Sequence, residues 1–171
     1  METETLINRS IEMNTEQPKT VELTEEDKQR FFKSILADKP YEESFELFDG
    51  QLSVKFRTMT VQENSDVVAQ IVADRKKGTA AENDAYMITI SAYRLGLCIL
   101  AIDGKEYSTV TKSTYTKADE YDSYVLERAK TLLAWSTPKL SIFLDAFQQF
   151  EAKTIKLSGE VQSKNFWKAS T

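Results

Sequence analysis

The best candidates for a reactive site in this sequence, judged by residue type and spacing, are its acidic residues. They cluster at Glu25-Glu26-Asp27, Glu42-Glu43 and Asp119-Glu120-Asp122. Carboxylates bind hard cations such as Ca²⁺, but such a site needs spaced ligands and a glycine in one ordered loop, as in an EF-hand. That spacing is missing, and each cluster lies at a predicted helix start or in a linker, where negative charge complements the helix macrodipole. We therefore predict no metal site.

The commonest catalytic and phosphate-binding patterns are also missing. The sequence has no histidine, which removes the commonest general base and the usual partner of a catalytic serine or cysteine. Its five glycines are isolated from one another, so no glycine-rich loop is available to hold a phosphate. Cys98 lies in an apolar run, which favours a packed small hydrophobe over a reactive thiol. We predict a protein that is not an enzyme and has no cofactor.

Composition indicates a single globular domain. The 171 residues are 41% hydrophobic and 29% charged, with a net charge of −5, values typical of a globular protein. The negative charge argues against nucleic-acid binding, and the apolar run from Leu95 to Ile102 is too short to cross a bilayer. The start, Met1-Glu2-Thr3-Glu4, lacks the basic and apolar regions of a signal peptide, so we expect a cytoplasmic protein.

A β-hairpin is predicted over about residues 44–58. Apolar residues alternate on both sides of Asp49-Gly50: Phe45, Leu47, Leu52, Val54 and Phe56. The Asp-Gly dipeptide accepts the positive φ angles that a type I′ turn requires. In this register Leu47 faces Leu52 and Phe45 faces Val54, so one side of the ribbon is apolar. A two-stranded ribbon is unstable alone in water, so this one must lie on helices or on another chain.

Five helices are predicted from apolar residues at three- and four-residue spacing. Their predicted starts are Thr24, Thr60, Thr79, Thr116 and Thr137, the first four with an acidic residue three positions later and the last with Pro138. The predicted ends are Lys39, Gly78, Ile102, Trp135 and Gly159. The third helix is apolar on nearly every side near its end, which predicts that it is the central helix.

Asp103-Gly104 has two interpretations. It is either the C-cap of the third helix or a second hairpin turn, because the residues around it also alternate as in a strand. The C-cap is the favoured interpretation. The stretch from Lys105 to Lys117 is rich in Ser, Thr and Lys and is predicted to be an exposed loop.

The predicted fold class is α+β and mainly α, a five-helix domain with one hairpin and extended tails. Residues 1–21 form a polar N-terminal arm that we expect to be ordered only by a partner. Residues 22–160 form the domain, and residues 161–171 form a C-terminal tail. Phe166 and Trp167 of that tail either dock back onto the domain or insert into a neighbouring subunit.

The run from Leu52 to Glu63 resembles a module of tailed-bacteriophage proteins. Between a hairpin and a helix it carries the pattern R-x-[ML]-[ST]-x-x-E, as do baseplate hub subunits and tail assembly chaperones. The segment from Asp84 to Tyr107 is similar to one in which an aspartate-bearing helix leads to a short glycine turn. The end Asn165-Phe166-Trp167 resembles the aromatic ends of several tail chaperones. The proline- and glycine-rich first strand of some hub subunits is missing.

This resemblance implies a non-enzymatic structural or assembly protein of a phage tail, and we favour a baseplate hub or tail-tip subunit. It would lie in the host cytoplasm during assembly and then in the virion tail, within a hetero-oligomeric assembly. The candidate residues for contacts with other tail proteins are Phe48, Arg57, Phe166 and Trp167. The alternatives are a tail assembly chaperone absent from the mature virion and a cytoplasmic adaptor or regulatory protein unrelated to phage.

Overall fold

The computed structural model describes residues 22–79 and 84–163, which form five helices and four strands. In chain order these are α1 (Glu25–Leu36), β1 (Glu42–Leu47), β2 (Leu52–Arg57), α2 (Val61–Lys77), α3 (Asp84–Cys98), β3 (Ile99–Ile102), β4 (Lys105–Glu106), α4 (Tyr124–Leu133) and α5 (Thr137–Gln162). This architecture confirms the predicted fold class, α+β and mainly α.

Strands β1 and β2 form the predicted hairpin in the predicted register. The expected cross-strand pairs are present: Phe45 with Val54, and Leu47 with Leu52. Asp49 and Gly50 have φ angles of 55° and 82°, both positive as the turn requires.

Asp103-Gly104 is a hairpin turn, so the favoured interpretation as a helix C-cap is wrong. Helix α3 ends at Cys98, and β3 follows at once and pairs antiparallel with β2. Strand β4 returns after the turn, which gives the described part of the chain a sheet in the order β1-β2-β3-β4. Pairing satisfies backbone groups that β2 would otherwise leave free at a sheet edge. The Asp103 carboxylate also accepts the Ser53 N–H at 2.9 Å.

Helices α1 and α2 begin at the predicted capping boxes. The Thr24 hydroxyl accepts the Asp27 N–H at 3.1 Å, and the Asp27 carboxylate accepts the Thr24 N–H at 3.1 Å. Thr60 and Glu63 repeat the arrangement at 3.1 and 2.9 Å. The cap predicted for the third helix falls partly on residues 80–83, which lie outside the described residues.

The fourth helix begins later than predicted. Its N-cap is Ser123 and its first residue is Tyr124. Asp119, predicted to complete a cap with Thr116, instead accepts the backbone N–H groups two and three residues later at 2.7 and 3.0 Å. The carboxylate therefore closes a local turn, a use of aspartate that competes with helix capping.

The fifth helix continues past the residue predicted to end it. Its N-cap is Ser136 rather than Thr137, and it runs through Gly159 to Gln162. Leu157 is fully buried, so burial of this face outweighs the low helix propensity of a single glycine.

Helix α3 lies between two clusters of buried side chains, as expected for the central helix. One cluster fills the space between the sheet and α5 and includes Leu95. The other joins α3 to α2 and α4 and includes Leu97. In the larger cluster the Phe56 ring lies 5.7 Å from the rings of both Phe147 and Phe150. These aromatic contacts pack the hairpin against α5. They supply the helix surface on which a two-stranded ribbon must lie to be stable.

Arg128 of α4 anchors the segment that follows β4. The segment is largely exposed, as predicted. The Arg128 guanidinium donates to the carbonyl oxygens of Ser108 and Val110 at 3.1 and 3.0 Å, and to those of Gly96 and Ile99 at 2.8 and 3.1 Å. One side chain thus holds this loop to the end of α3 and the start of β3.

An ion-pair network joins α1 and α5 to β1. Lys153 Nζ lies 3.0 Å from the Asp27 carboxylate and 2.5 Å from that of Glu43, and all three side chains are at most 12% exposed. Burial acts to raise the pKa of Asp27, but hydrogen bonds from Thr24, Arg30 and Lys153 outweigh it and hold that pKa well below its usual value. The network is therefore strongest when the carboxylate is ionised.

Gly96→Ala should destabilise the protein. A Cβ at this position would meet backbone atoms of Arg128 at 3.2 Å, so α3 and α4 would have to move apart. We expect the free energy of unfolding in urea to fall by about 1–3 kcal/mol, the usual cost of overpacking.

Gly159→Ala is the matched control, because nothing lies within 4 Å of a Cβ there. This variant should gain about 0.5–1 kcal/mol from helix propensity. Equal changes in the two variants would contradict the close contact between α3 and α4.

Asp27→Asn should cost stability near neutral pH and much less in acid. A carboxyl whose pKa is lowered by folding stabilises the protein above its unfolded pKa, and this contribution is lost as the pH falls through the folded pKa. We expect the parent and the variant to differ by about 2–3 kcal/mol in unfolding free energy near pH 7, and by less below about pH 4.

Glu26→Gln, an exposed acid in the same helical turn, should change stability by less than about 0.5 kcal/mol throughout. Urea denaturation at a series of pH values makes the comparison. If the stability cost of Asp27→Asn does not vary with pH, the lowered pKa of Asp27 in the folded protein is contradicted.

Candidate functional site

A groove of about 450 Å³ lies between α2 and α5, with α3 at its base. We call it the α2–α5 groove. Its lining comes from the β2–α2 connection and from all three helices, and includes Met59, Val61, Arg94, Phe147, Phe150 and Ile155. The deeper residues belong to the core, whereas the rim is open to solvent.

Large apolar side chains are exposed along this groove. Val61 on one wall is 87% exposed and Ile155 on the other is 72% exposed. Val68 and Val72 follow Val61 at spacings of seven and four residues, which places the three valines on one side of α2. Both are about half exposed. Val61 and Ile155 line the groove itself, whereas Val68 and Val72 lie further along α2, outside its lining.

Helix α2 carries two apolar stripes, which explains why sequence reasoning missed the groove. Val67 and Ile71 pack in the cluster shared with α3 and α4, whereas Val68 and Val72 stay largely outside it. The doublets Val67-Val68 and Ile71-Val72 make a stripe wider than a single packed face, and this width was the available signal.

An ion pair between Arg94 of α3 and Glu151 of α5 crosses the base of the groove. The Nε atom of Arg94 is buried and has no hydrogen-bond acceptor in the described part of the chain. A buried donor without an acceptor costs free energy. The groove therefore has largely apolar walls with one ion pair at its base.

Cys98 also lies at the groove but is not positioned for chemistry. Its side chain is buried, and burial raises the pKa of the thiol to about 12. The thiolate is the reactive form, so this cysteine is unreactive near neutral pH. This confirms the prediction of a packed small hydrophobe.

Arg57, a predicted partner-binding residue, is engaged within the chain. Its guanidinium donates to the two carboxylate oxygens of Glu63 at 2.8 and 2.5 Å, and to the Thr58 carbonyl at 3.2 Å. The side chain is 16% exposed, and the hydrogen bonds to Glu63 raise its pKa. Because Glu63 also caps α2, the Arg, Thr and Glu of the R-x-[ML]-[ST]-x-x-E pattern form one strand-to-helix joint.

The structure does not bring the other predicted contact residues to the groove. Phe48 lies at the tip of the first hairpin and is 48% exposed, so it remains accessible to a partner there. Phe166 and Trp167 lie outside the described residues.

A buried polar network between α2 and α3 was not predicted. The Asp74 carboxylate accepts the hydroxyls of Tyr93 and Tyr86 at 2.6 and 3.1 Å and the Gln70 side-chain amide at 2.8 Å. Gln70 in turn accepts the Ser123 hydroxyl at 2.6 Å. These bonds are internal and position helices, so we assign the network to the fold.

The described ranges, 22–79 and 84–163, lack two further kinds of site. No group of three or more His, Cys, Asp or Glu side chains there is arranged to hold a metal ion. None of the helices there combines the length and the apolar character needed to cross a membrane.

Comparisons of the chain with family models, curated proteins and solved structures gave no match.

The Arg57–Glu63 pair should contribute measurably to stability. A double-mutant cycle with Arg57→Ala and Glu63→Ala should give a coupling free energy of about 1.5–3 kcal/mol, as expected for charged hydrogen bonds shielded from water.

The exposed pair Lys55–Glu42 is the matched control. Its atoms are 2.6 Å apart, but its side chains are 43% and 45% exposed, and its coupling should stay below about 1 kcal/mol. Equal coupling free energies in the two cycles would show that burial does not strengthen the Arg57–Glu63 pair.

Proposed function

We propose that this chain is a non-enzymatic structural or assembly protein of a bacteriophage tail, most directly a baseplate hub or tail-tip subunit. It acts through protein contacts in a hetero-oligomeric assembly, first in the host cytoplasm and then in the virion tail. The observation that carries the proposal is the α2–α5 groove, whose exposed rim residues Val61 and Ile155 face solvent.

The groove supports protein binding on physical grounds. Removing apolar area from water is the main driving force of protein association. A groove between helices with an apolar rim accepts an aromatic or aliphatic anchor from a partner, the kind of contact that dominates interfaces. Phe48, at the far end of the first hairpin, offers a second exposed apolar contact.

The phage context comes from the resemblance of residues 52–63 to the tail module. In the structure Arg57, Thr60 and Glu63 hold β2 to the start of α2. The pattern thus encodes a connection that holds the fold, and the resemblance supplies the link to phage tails.

A tail assembly chaperone is the second candidate role. The observation that favours it is the aromatic end Asn165-Phe166-Trp167, which resembles the ends of several tail chaperones. Such a protein would use the same groove but leave before the particle matures.

Mass spectrometry of purified particles tests the proposal, in the tailed phage whose genome encodes the chain. We expect the protein at stoichiometric amounts. Ile155→Glu should lower its incorporation at least about tenfold, because a charge in an apolar interface costs more than about 1.4 kcal/mol.

Leu36→Glu is the matched control, since Leu36 on α1 is 71% exposed and lies away from the groove lining. This variant should be incorporated normally. If the protein is absent from purified particles and a deletion strain fails to assemble tails, the chaperone role is favoured. If the deletion strain assembles normal tails, both roles are overturned.

A further inference from the structure

We propose that the α2–α5 groove receives the side chain of Phe48 from a second copy of this chain. The inference rests on the interaction surface proposed above and names its occupant. Phe48 lies at the tip of the hairpin formed by β1 and β2. The protein thus joins copies of itself through one repeated contact, in addition to its contacts with other tail proteins.

The backbone at Phe48 has an unfavourable conformation. Its φ angle is 54°, in the left-handed region that bulky residues rarely adopt. Glycine or asparagine would take this conformation at lower cost. Neither buried cluster of the described residues includes Phe48, which is 48% exposed. An aromatic residue at a strained, exposed position without a place in the core points to a contact outside the chain.

The phenyl ring of Phe48 cannot fill the groove of its own chain. The turn that carries it precedes β2 at Leu52, whereas the first groove residue, Thr58, follows the end of β2 at Arg57. The five steps along this strand cover about 17 Å at about 3.3 Å per residue. Strand β2 is paired with β1 on one side and with β3 on the other, so the separation is fixed. A Phe48 side chain in the groove therefore comes from another molecule.

The groove suits a phenyl ring in size and polarity. Its volume is about 450 Å³, whereas a dry apolar cavity of about 150 Å³ is enough to bind benzene. It therefore has room for the ring and for part of the turn that carries it. Val61 and Ile155 stand at its exposed rim, and Phe147 and Phe150 lie deeper. A ring inserted between the rim residues meets other aromatic rings below them, a favourable contact.

The charges of the two surfaces are complementary. Glu46 and Asp49 lie on either side of Phe48 in the chain and are exposed, so the hairpin tip is acidic. At the base of the groove the Arg94 side chain is 40% exposed and donates through Nη2 to Glu151. A guanidinium has five N–H donors, so it can bind a second carboxylate as well. The acids of the hairpin tip bring that carboxylate next to the phenyl ring.

Each copy carries both the hairpin tip and the groove, so the contact joins two unlike surfaces. One pairing leaves a groove open on one molecule and a Phe48 side chain free on the other. The two surfaces lie at opposite ends of β2, so both are used at once without interfering. Contacts of this heterologous kind add copies head to tail until a ring of subunits closes.

A complementation experiment with purified full-length variants tests the proposal. Phe48→Glu removes the anchor and keeps the groove, whereas Ile155→Glu damages the groove and keeps the anchor. In sedimentation equilibrium we expect the parent to show a mass above the 19.5 kDa of one chain. Each variant alone should self-associate at least about tenfold more weakly. An equimolar mixture should form a 1:1 complex, because one variant supplies an intact groove and the other an intact Phe48.

Leu36→Glu is the matched control. Leu36 on α1 is 71% exposed, as Ile155 is 72% exposed, and it belongs neither to the groove lining nor to the hairpin. The variant adds the same negative charge at an equally exposed apolar position. It should therefore self-associate as the parent does.

Three results would overturn the proposal. The first is a parent that keeps the mass of one chain at concentrations up to about 1 mM. The second is a mixture of the two variants that associates no better than either alone, which would show that Phe48 and the groove do not meet. The third is self-association that survives Phe48→Glu or Ile155→Glu, which would place the interface elsewhere on the chain.

All of these measurements use the isolated chain, whereas the phage-tail assignment is tested on particles. A monomeric protein that is still incorporated into particles at stoichiometric amounts would overturn the second copy as occupant and leave the phage-tail assignment standing.

Discussion

The ion pair between Arg57 and Glu63 fixes the angle at which helix α2 leaves the sheet, and the rest of the structure depends on that angle. Only residues 58–60 separate β2 from α2. The Glu63 carboxylate caps the helix through the Thr60 N–H and at the same time receives the guanidinium of Arg57. Because one carboxylate serves both purposes, a rotation of the helix about its first turn would break the ion pair with Arg57.

The direction of α2 creates both the core and the groove. One stripe of α2 packs with α3 and α4, while α5 covers the sheet from the other side and packs against α3. Helix α3 thus supports two clusters on different sides. Its side between α2 and α5 has no covering helix in the described part of the chain, and Arg94 and Cys98 lie there at the base of the groove. The groove therefore lies along the one side of α3 that neither of the two buried clusters covers.

The sequence predicted those features that depend on neighbouring residues. The hairpin register follows from alternation around Asp49-Gly50, and the starts of α1 and α2 follow from Thr and an acid three residues later. Asp103-Gly104 could not be decided locally, because whether the chain continues as helix or pairs as strand depends on the free edge of β2, which lies about fifty residues earlier. The start of α4 was misplaced because Asp119 makes a turn instead of a cap.

The candidate site was less predictable than the fold for the same reason. Arg57 was predicted to contact a partner, whereas its side chain is engaged by Glu63, and that engagement depends on geometry that only the folded connection between β2 and α2 provides. The groove combines residues from α2, α3 and α5 that are far apart in sequence. A helical stripe that is too wide for one buried face indicates surplus apolar surface, but it does not tell which other helix lies opposite.

The distribution of polar and apolar groups separates what holds the fold from what is available for binding. Asp74, Gln70 and Arg128 lie inside with several internal hydrogen bonds each, and such networks fix the relative positions of helices. Val61 and Ile155 lie outside and contribute little to folding, because most of their surface remains in water. The free energy that would be gained by burying them is therefore not used by the domain itself. It remains available to whatever segment or partner fills the groove.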